Sequence, residues 1–565
     1  MGPAIFILGP TALPIAQTIK AKVGGKIFGP AAVEGVDEAY AKATSAIAFE
    51  FEAQRPVIGI CASAILIRAV APFLRNKLTE APVVAVAEDG SSIVPLLGGH
   101  HGANKLAHEI ANAVNGHAAI TTASDVIFGT AYDEYDSGLV LGNPEDVKSA
   151  TAARLRGEEV FRHNTIHDKK GNDRLIVYHP KTLAVGIGCE RGTAAEEVQD
   201  LINSTFSAHN LSRHSIAVYA SIDLKEDEAA VSALHNVVYF SAEELKSQTA
   251  RIATPSDYVA DAVGTPSVAE AAALAAAGDE ATLIVSKTKS KRATIAIAEA
   301  CEPILNPAGN RRGCVAVVGI GPGTRTLRSP QASHELALAT DWVGYDLYLD
   351  LAADVKTNQT EHRFPLGGEE DRCRHAIELA KQGKRVALVC SGDAAIYAMA
   401  ALVYELIDRE PCRIAVEVHP GISAFQMASA KAGALIGHDF CCISLSDLLT
   451  PWETIERRIK AAAEGDFVIS FYNPRSLKRT DQIDKAFAFL KPHRHPDTPV
   501  VLASNLGRPA EKVRVLRFAE FNSADVDMLT LVMVGSNQSK SITRGDGKTY
   551  AYTPRGYARK MSALT

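Results

Sequence analysis

The sequence lacks the features that mark secreted, membrane-spanning and nucleic-acid-binding proteins. Its nine cysteines include no Cys-x-x-Cys pair, a usage typical of the reducing cytosol. No uninterrupted apolar stretch is long enough to cross a bilayer. The net charge of -6, without a Lys/Arg block or a basic-aromatic stripe, predicts no nucleic-acid partner. We therefore expect a cytoplasmic protein that binds neither membrane nor nucleic acid.

The start of the chain is apolar but does not have the layout of a signal peptide. Ala4 to Leu8 has no basic residues before it, and Pro10 and Pro14 interrupt the apolar pattern soon after it. This arrangement predicts a first strand. The length of 565 residues, with 47% hydrophobic and 22% charged residues, predicts about three to five domains that each bury a core.

A glycine-proline loop follows a buried-strand pattern in the second half of the chain. Residues 315–323 are VAVVGIGPG, in which β-branched residues give way to alternating Gly319, Gly321 and Gly323. No Lys follows the last glycine, as it would in a Walker loop, and the spacing is not that of a dinucleotide-binding loop. The pattern predicts a strand, a ligand-facing turn and a helix after residues 324–330, although a plain strand-loop-helix corner would look the same.

Three more apolar strands in this half end in polar or glycine-rich breaks. The breaks are Ser391-Gly392-Asp393, His419-Pro420-Gly421 and Phe471-Tyr472-Asn473-Pro474. Strands and helices that alternate in this way are typical of β-α units. Open α/β sheets bind ligands at the carboxyl ends of their strands. The four breaks therefore predict a ligand site at that edge.

The segment from Cys314 to Ile542 resembles the tetrapyrrole methylases, S-adenosylmethionine enzymes that methylate uroporphyrinogen-derived rings. The resemblance also includes residues 504–508 (SNLGR) and 527–530 (DMLT), in the same order. Within the family it is strongest to the precorrin-3B C(17)-methyltransferases, which contract the ring to precorrin-4 in corrin synthesis. It implies a two-lobed fold, S-adenosylmethionine as cofactor, a tetrapyrrole substrate and a homodimer formed through this half. Other enzymes of corrin synthesis are candidate partners.

The resemblance implies a cofactor pocket made by the loops at the strand ends. Its positions in this sequence are Pro322, Gly392, Asp393, Ile396, Tyr397, Ser423, Ala424, Tyr472 and Thr530. Because the cofactor carries an activated methyl group, the protein has mainly to align the accepting carbon and exclude water. Asp393 could also cap an apolar helix, a role that is compatible with cofactor contact. Asn473-Pro474 could be a plain turn, and Tyr472 could be a core residue.

The same resemblance places the Gly-Pro loop, with Gly319, Gly321 and Gly323, against tetrapyrrole or cofactor. Cations in loops of this half are candidates for binding the carboxylates of the substrate, namely Arg325, Arg328, Arg475 and Lys478. Ring contraction also requires a proton acceptor or donor, and His419 is the candidate nearest the predicted mouth. The alternatives are solvated surface charge for the cations and a structural role for His419.

The first half of the chain carries a second, independent resemblance. Its motifs lie at residues 59–72, 83–90, 96–104, 120–125, 185–193, 220–225 and 264–270. Their order resembles cobalt-precorrin-5A hydrolase, which opens the ring-A lactone and releases a two-carbon fragment. One departure is Glu80-Ala81-Pro82, which stands where that family has Asp-Pro. The chain thus resembles a fusion of two proteins of corrin synthesis.

Lactone opening requires an activated water and a stabilised oxyanion, and release of acetaldehyde requires a proton acceptor. In the first half the densest cluster of groups with this chemistry is Glu88, Asp89, His100 and His101. Gly98-Gly99 before the histidines allows a close approach of the backbone to a ligand. The histidine spacing does not match a zinc site, so no metal is expected. The alternative is a loop that merely precedes a helix.

The fold class that we predict is α/β and multidomain, with two α/β domains of the hydrolase-like half followed by a two-lobed methylase fold. The apolar pattern lapses at the predicted boundaries. These give a domain at 1–145, a linker or crossover at 146–180, a domain at 181–308, a methylase at 314–545 with lobes of about 314–435 and 436–545, and a tail at 546–565.

Two hypotheses stay open for the first half. It is either an active lactone hydrolase, which makes the chain bifunctional, or a non-enzymatic module that binds corrin intermediates. For the second half, methylation at another tetrapyrrole position is the alternative to C-17. Either half could take a ring with or without cobalt.

Overall fold

The computed structural model of the chain describes residues 2–75, 80–99, 102–121, 132, 135–136, 138–476 and 479–557. The chain divides into two compact units, Met1–Arg312 and Gly313–Thr565. Both units combine helices with sheets, so the predicted α/β multidomain class is confirmed. Among the described helices, none has the length and apolar character needed to span a membrane.

In the described part of the first unit, a seven-stranded sheet has the order β3-β2-β1-β4-β5-β6-β7. Its strands are β1 (Ala4–Ile7), β2 (Lys26–Pro30), β3 (Glu38–Tyr40), β4 (Val57–Ile60), β5 (Val83–Val86), β6 (Ser92–Leu97) and β7 (His117–Ala118). The accompanying helices are Leu13–Val23, Ala43–Glu52, Ser63–Val70 and Ala103–Val114. The chain crosses to the other side of β1 when it returns at β4, and a reversal of this kind opens a crevice at the carboxyl ends of the two strands.

A small sheet in the order β8-β10-β9 follows and includes much of the segment predicted as a linker or crossover at residues 146–180. It consists of β8 (Leu139–Leu141), β9 (Phe161–Asn164) and β10 (Leu175–Pro180), with the helix Val147–Leu155. Ile176 and Tyr178 of β10 are buried in one cluster with Ala150 of that helix. The alternating apolar residues of β10 therefore give this segment a small core of its own.

The third sheet of the unit has the order β13-β12-β11-β15-β14. Its strands are β11 (Leu183–Cys189), β12 (Ile216–Ile222), β13 (Val237–Phe240), β14 (Thr282–Lys289) and β15 (Ala293–Glu299). Its helices are Ala195–Ala208, Ala229–Ser232, Ala242–Lys246, Asp257–Val263 and Ala269–Ala277. Glu270 is fully buried, and its carboxylate accepts backbone N–H bonds from Ala253, Thr254 and Lys287. Burial alone would raise its pKa, but these bonds lower it, so this glutamate of the GTPSVAE motif stabilises the fold.

The first lobe of the second unit is built on a parallel sheet in the order β18-β17-β19-β16-β20. Its strands are β16 (Cys314–Gly319), β17 (Asp341–Tyr345), β18 (Thr360–Phe364), β19 (Arg385–Cys390) and β20 (Ala415–His419). Its helices are Pro330–Leu338, Asp346–Ala352, Glu369–Lys381 and Ala400–Arg409. Buried clusters cover both faces of the sheet, which explains the continuous apolar run of β16. Because β19, β16 and β20 are neighbours, the loops that follow them lie side by side.

The second lobe contains a mixed sheet in the order β22-β23-β26-β24-β25 and a small sheet in the order β21-β28-β27. The strands are β21 (Gly433–Ala434), β22 (Phe440–Ser444), β23 (Val468–Tyr472), β24 (Pro499–Ser504), β25 (Lys512–Arg517), β26 (Thr530–Val534), β27 (Lys540–Thr543) and β28 (Thr549–Tyr552). The helices are Ala424–Ala432, Trp452–Glu464 and Gln482–Leu490.

Residues 549–552 differ from the frayed tail that we expected at 546–565. They form β28, which pairs with β21 and β27. Ala551 in this strand is fully buried against the helix that begins at Ala424. The segment is polar overall, so its sequence did not indicate a strand. In the structure, one face of this strand packs on the core.

Candidate functional site

Three glycines form the junction between the loops after β16, β19 and β20. A Cβ atom on Gly421 would lie 2.1 Å from the carbonyl oxygen of Gly392 and 2.6 Å from that of Gly319. A Cβ on Gly319 would in turn lie 2.7 Å from the Gly392 oxygen. Gly321 and Gly392 exchange two backbone hydrogen bonds of 3.1 and 2.8 Å. Side chains are excluded here because the three loops touch through their backbones.

Asp393 fastens this junction with both oxygens of its carboxylate. Oδ2 accepts the backbone N–H of Gly421 at 3.1 Å, and Oδ1 accepts that of Ala395 at 2.9 Å. The next helix begins at Ala400, so the alternative in which Asp393 caps it is wrong. Residues 394–399 form a series of bends instead, and Tyr397 among them has a positive φ of 50°.

A cavity of about 260 Å³ borders the junction at Gly392 and is slightly smaller than the range of about 300–1,000 Å³ that is usual for small-molecule sites. All nine positions that we assigned to the cofactor from the family resemblance line it. They are Pro322, Gly392, Asp393, Ile396, Tyr397, Ser423, Ala424, Tyr472 and Thr530. These residues come from loops and strand ends of both lobes, and the fold brings them to one place.

Tyr397 of the first lobe and Tyr472 of the second lobe meet at one wall of the cavity. The hydroxyl of Tyr397 donates to the carbonyl oxygen of Cys442 at 2.9 Å, and that of Tyr472 accepts the N–H of Phe425 at 3.3 Å. Their ring centroids are 5.2 Å apart. Burial raises the pKa of both phenols, so both remain neutral hydrogen-bonding groups at physiological pH.

The remaining lining residues were not assigned a role from the sequence. They are Tyr348, Ser391, Asn473, Ala503, Asn505, Leu506, Arg508, Met528, Leu529 and Leu531. Seven of the ten lie within or directly next to the SNLGR and DMLT motifs, so the sequence contained a signal for them. Tyr348 lies inside the helix Asp346–Ala352, and its place in the wall follows from tertiary packing alone.

A second cavity, of about 670 Å³, has Gly323, Thr324 and Thr326 of the Gly-Pro loop in its wall. Gly323 is thus placed as a ligand-facing residue would be. Gly319 is not, because it is enclosed by Gly392 and Gly421 at the glycine junction. Gly321 pairs with Gly392 through the backbone and belongs to the same junction.

Two of the four cations expected to bind substrate are paired with Asp354. Arg328 is buried, forms an ion pair with Asp354 and donates to Ser333 Oγ at 2.9 Å and to the Leu351 carbonyl at 3.3 Å. Its guanidinium is therefore committed within the fold, which corrects the substrate-binding interpretation. Arg325 is more exposed and lies 3.4 Å from the same carboxylate.

The other two candidate substrate-binding cations are Arg475 and Lys478. Arg475 donates to the backbone carbonyl of Ser523 at 2.9 Å, and it lines neither of the two cavities. The structure thus gives it a local bond within the second lobe. Lys478 lies outside the described residues.

His419 lines neither of the two cavities, which corrects its interpretation as a base for ring contraction. It is buried at the end of β20, and its Nδ1 is 3.2 Å from the side-chain nitrogen of Gln331. Its Nε2 lies 3.5 Å from Glu417 Oε2 and 3.9 Å from Glu335 Oε2. The three could hold a cation by spacing alone, but the Arg385 guanidinium already contacts both carboxylates.

In the first unit, Glu88 follows β5 at the carboxyl edge of the seven-stranded sheet. Its carboxylate accepts a hydrogen bond from the hydroxyl of Thr11, which follows β1 and was not singled out from the sequence. Asp89 instead accepts from the backbone and hydroxyl of Ser91 at 2.9 and 2.7 Å, which folds its own turn and lowers its pKa. Glu88 is therefore the carboxylate that contacts a second strand end.

His100 and His101 lie outside the described residues. The loop before them is described as far as Gly99, and Gly98 has a positive φ of 72°. The carbonyl of Gly98 accepts the N–H of Ala103 at 3.0 Å, which brings this loop against the start of the helix Ala103–Val114.

Comparison with known proteins matches three families to successive parts of the chain. Residues 45–125 match the cobalamin synthesis G N-terminal family and residues 183–298 the cobalamin synthesis G C-terminus family. Residues 314–522 match the tetrapyrrole (corrin/porphyrin) methylases. Both resemblances inferred from the sequence are thereby confirmed.

Two relatives and one solved structure each match less than half of the chain. Cobalamin biosynthesis protein CobIJ of Mycobacterium tuberculosis is 42% identical over 259 residues, 44% of this chain and 50% of the relative, so the chain spans about half the length of that protein. Precorrin-3B C(17)-methyltransferase of Sinorhizobium sp is 38% identical over 249 residues, 44% of this chain and 98% of the relative. The crystal structure of the methyltransferase CobJ is 37% identical, covers 43% of this chain and 100% of its own, and has a TM-score of 0.40.

The chain covers 98% of the Sinorhizobium methyltransferase at 38% identity, in agreement with the family match over residues 314–522. The two preceding matches have the order and the extent of the motifs in the first unit. The chain belongs to the tetrapyrrole (corrin/porphyrin) methylase family, with both cobalamin synthesis G regions ahead of its methylase region.

Proposed function

We propose that the second unit transfers a methyl group from S-adenosylmethionine to C-17 of precorrin-3B, or of its cobalt-containing form, with ring contraction to precorrin-4. The observation that carries this proposal is the cavity lined by all nine positions implied for the cofactor. The Sinorhizobium relative, a precorrin-3B C(17)-methyltransferase, supports the choice of C-17. Methylation at another tetrapyrrole position is the alternative within the same family.

The lining residues fit the chemistry of the cofactor. Asp393, Asn505 and Thr530 supply acceptors and donors for a ribose or an amino-acid group. Ile396, Leu506 and Leu531 supply apolar surface for an adenine ring. The bound cofactor supplies an activated methyl group, and the two-lobed wall orients it and excludes water.

The glycine junction gives the proposed site its rigidity. Three loops that touch through backbone atoms cannot shift independently, and Asp393 ties two of them together. Alignment of a methyl donor with a ring carbon requires this kind of preorganisation, because a displacement of about 1 Å can reduce the rate on the order of 100-fold.

For the first unit we propose hydrolysis of the ring-A lactone of cobalt-precorrin-5A, with release of acetaldehyde. Glu88 is the candidate general base, and Thr11 orients its carboxylate at the carboxyl edge of the sheet. The position of both residues next to the reversal between β1 and β4 supports a ligand site there. A non-enzymatic corrin-binding module is the second candidate for this unit.

The proposal is tested with the full chain, S-adenosylmethionine and precorrin-3B or its cobalt form. We expect methylated product in the presence of the cofactor and none when S-adenosylhomocysteine competes in excess. Cobalt-precorrin-5A, supplied separately, is expected to release acetaldehyde. Binding of cobalt-precorrin-5A without acetaldehyde would support the module instead. A cytoplasmic homodimer formed through the second unit completes the proposal.

A further inference from the structure

Arg508 lies in the wall that the two cavities of the second unit share. It lines the smaller cavity together with Ser391 and Asp393 and the larger one together with Gly323 and Lys431. The turn that carries it packs on the Gly-Pro loop, because a Cβ on Gly323 would lie 3.0 Å from the Gly507 carbonyl oxygen and 3.2 Å from Arg508 Cγ. Its side chain therefore borders both the cavity proposed for the methyl donor and the larger cavity next to it.

The turn itself is fixed by bonds that do not involve the guanidinium. The N–H of Arg508 donates to the Asn505 carbonyl at 3.0 Å, and Glu511 accepts the N–H of Gly507 at 2.8 Å. Asn505 and Gly507 both have positive φ values, 52° and 69°. The backbone thus holds Arg508 in place, and the side chain is not needed to close the turn.

Most N–H donors of the Arg508 guanidinium have no hydrogen-bond acceptor among the described residues. Its one hydrogen bond within the described residues runs to Ser391 Oγ at 3.3 Å, and no described carboxylate forms an ion pair with it. Its Nε is buried without a hydrogen-bond partner. A guanidinium has five N–H donors, and a buried donor left without an acceptor is costly. The neighbouring cation, Lys431, differs because Glu511 neutralises it at 2.7 Å.

We propose that Arg508 binds a carboxylate of a bound ligand across this shared wall and so sets the position of donor and acceptor. The inference rests on the proposed methyltransferase function and adds a positioning residue to it. Two ligands carry the required group, the cofactor in its amino-acid moiety and the tetrapyrrole in its peripheral side chains. A bidentate bond to either would satisfy Nε and a terminal nitrogen together.

The test compares the full-length wild type with Arg508→Gln, Arg508→Lys and the control Arg514→Gln. Arg514 pairs with Asp525 on the surface at 2.8 Å and lines neither cavity. Calorimetry gives the dissociation constant of S-adenosylhomocysteine, and steady-state kinetics give KM and kcat for precorrin-3B. Thermal unfolding shows whether each variant is folded.

Arg508→Gln is expected to weaken one ligand by about 10- to 100-fold without a change in unfolding temperature, because a charge-assisted bond is lost. Arg508→Lys is expected to recover part of the loss, since it keeps the charge but not the fork. A change in the S-adenosylhomocysteine constant assigns the carboxylate to the cofactor, and a change in KM alone assigns it to the tetrapyrrole.

Unchanged values for both ligands in an active, folded Arg508→Gln protein would overturn this inference alone. A wild type that binds S-adenosylhomocysteine but methylates no tetrapyrrole would contradict the proposed function instead. The control Arg514→Gln should match the wild type in every measurement.

Discussion

The carboxylate of Asp393 accepts the backbone N–H of Gly421, 28 residues further along the chain, at a distance of 3.1 Å. This bond joins the loop after β19 to the loop after β20. Both loops contribute to the wall of the cavity proposed for the cofactor, since Asp393 and Ser423 line it. A single side chain thus controls the relative position of two parts of the site.

Substitution of Asp393 by Ala should therefore weaken cofactor binding. It removes the acceptors for the N–H groups of Gly421 and Ala395, and hydrogen bonds to a charged group contribute about 1.5–3 kcal/mol each. We expect the dissociation constant of S-adenosylhomocysteine to rise by about 10- to 100-fold in calorimetry. Asp408→Ala, an exposed change on the helix Ala400–Arg409, is the control. Equal affinity in the Asp393 variant would remove this residue from the site.

Gly421→Ala should disrupt the glycine junction. The added Cβ would lie 2.1 Å from a backbone oxygen of Gly392, and neither loop can move without displacing the other. Overpacking of this kind costs about 1–3 kcal/mol, and we expect lower thermal stability together with loss of S-adenosylhomocysteine binding. Gly545→Ala is the matched control because an added Cβ there would meet nothing within 4 Å. A Gly421 variant with unchanged binding and stability would contradict the described contact.

The acid sensitivity of the second unit should depend on Asp341. Its buried carboxylate accepts bonds from His362 at 2.9 Å, Thr340 at 2.8 Å and Lys384 at 3.0 Å. Burial by itself raises its pKa, but the three bonds outweigh burial and lower the pKa below its ordinary value of 3.8. The carboxylate therefore stabilises the fold at neutral pH, and this contribution declines as the pH falls below 3.8 and is lost once the folded-state pKa is passed.

Asp341→Asn tests this dependence through unfolding temperatures measured from about pH 7 down to about pH 2, because the contribution is lost only once the lowered folded-state pKa is passed. We expect a lower unfolding temperature than in the wild type at pH 7, and a difference that narrows at the acid end. Asp408→Asn should follow the wild type throughout. A difference between Asp341→Asn and the wild type that is constant with pH would show that charge is not involved.

Glu88→Gln should separate the two hypotheses for the first unit. If Glu88 is the general base, its loss should slow acetaldehyde release from cobalt-precorrin-5A by about 100- to 10,000-fold. Thr11→Val should give a smaller loss, since it removes the hydroxyl that bonds to Glu88 and leaves the carboxylate. Glu52→Gln, an exposed change on the helix Ala43–Glu52, is the control. If a Glu88 variant retains full release, hydrolysis there does not depend on this carboxylate.

Much of the fold followed from local patterns in the sequence. The continuous apolar run of β16 and the glycine-rich break after it predict a buried parallel strand and a loop at its carboxyl end, and both are observed. The strand at Thr549–Tyr552 did not follow, because its neighbours β21 and β27 are defined only once the second lobe has folded.

The candidate site was predictable where it depends on loops and less so where it depends on long side chains. Gly392 and Asp393 could be placed because loops at strand ends have a fixed position in the fold. Arg325 and Arg328 have similar sequence contexts, yet Arg328 is buried and paired. Both arginines pair with Asp354, a residue that no motif marked, so the sequence did not show which of the two is buried.

The most direct test of the proposed C-17 methylation is mass spectrometry of the reaction product. The full chain is incubated with S-adenosylmethionine and precorrin-3B in one reaction, and with S-adenosylmethionine and the cobalt-containing form of precorrin-3B in a second. We expect a product with one added methyl group at C-17 and a contracted ring from at least one of the two substrates. Absence of methylated product from both, with a chain that binds S-adenosylhomocysteine, would contradict the C-17 assignment.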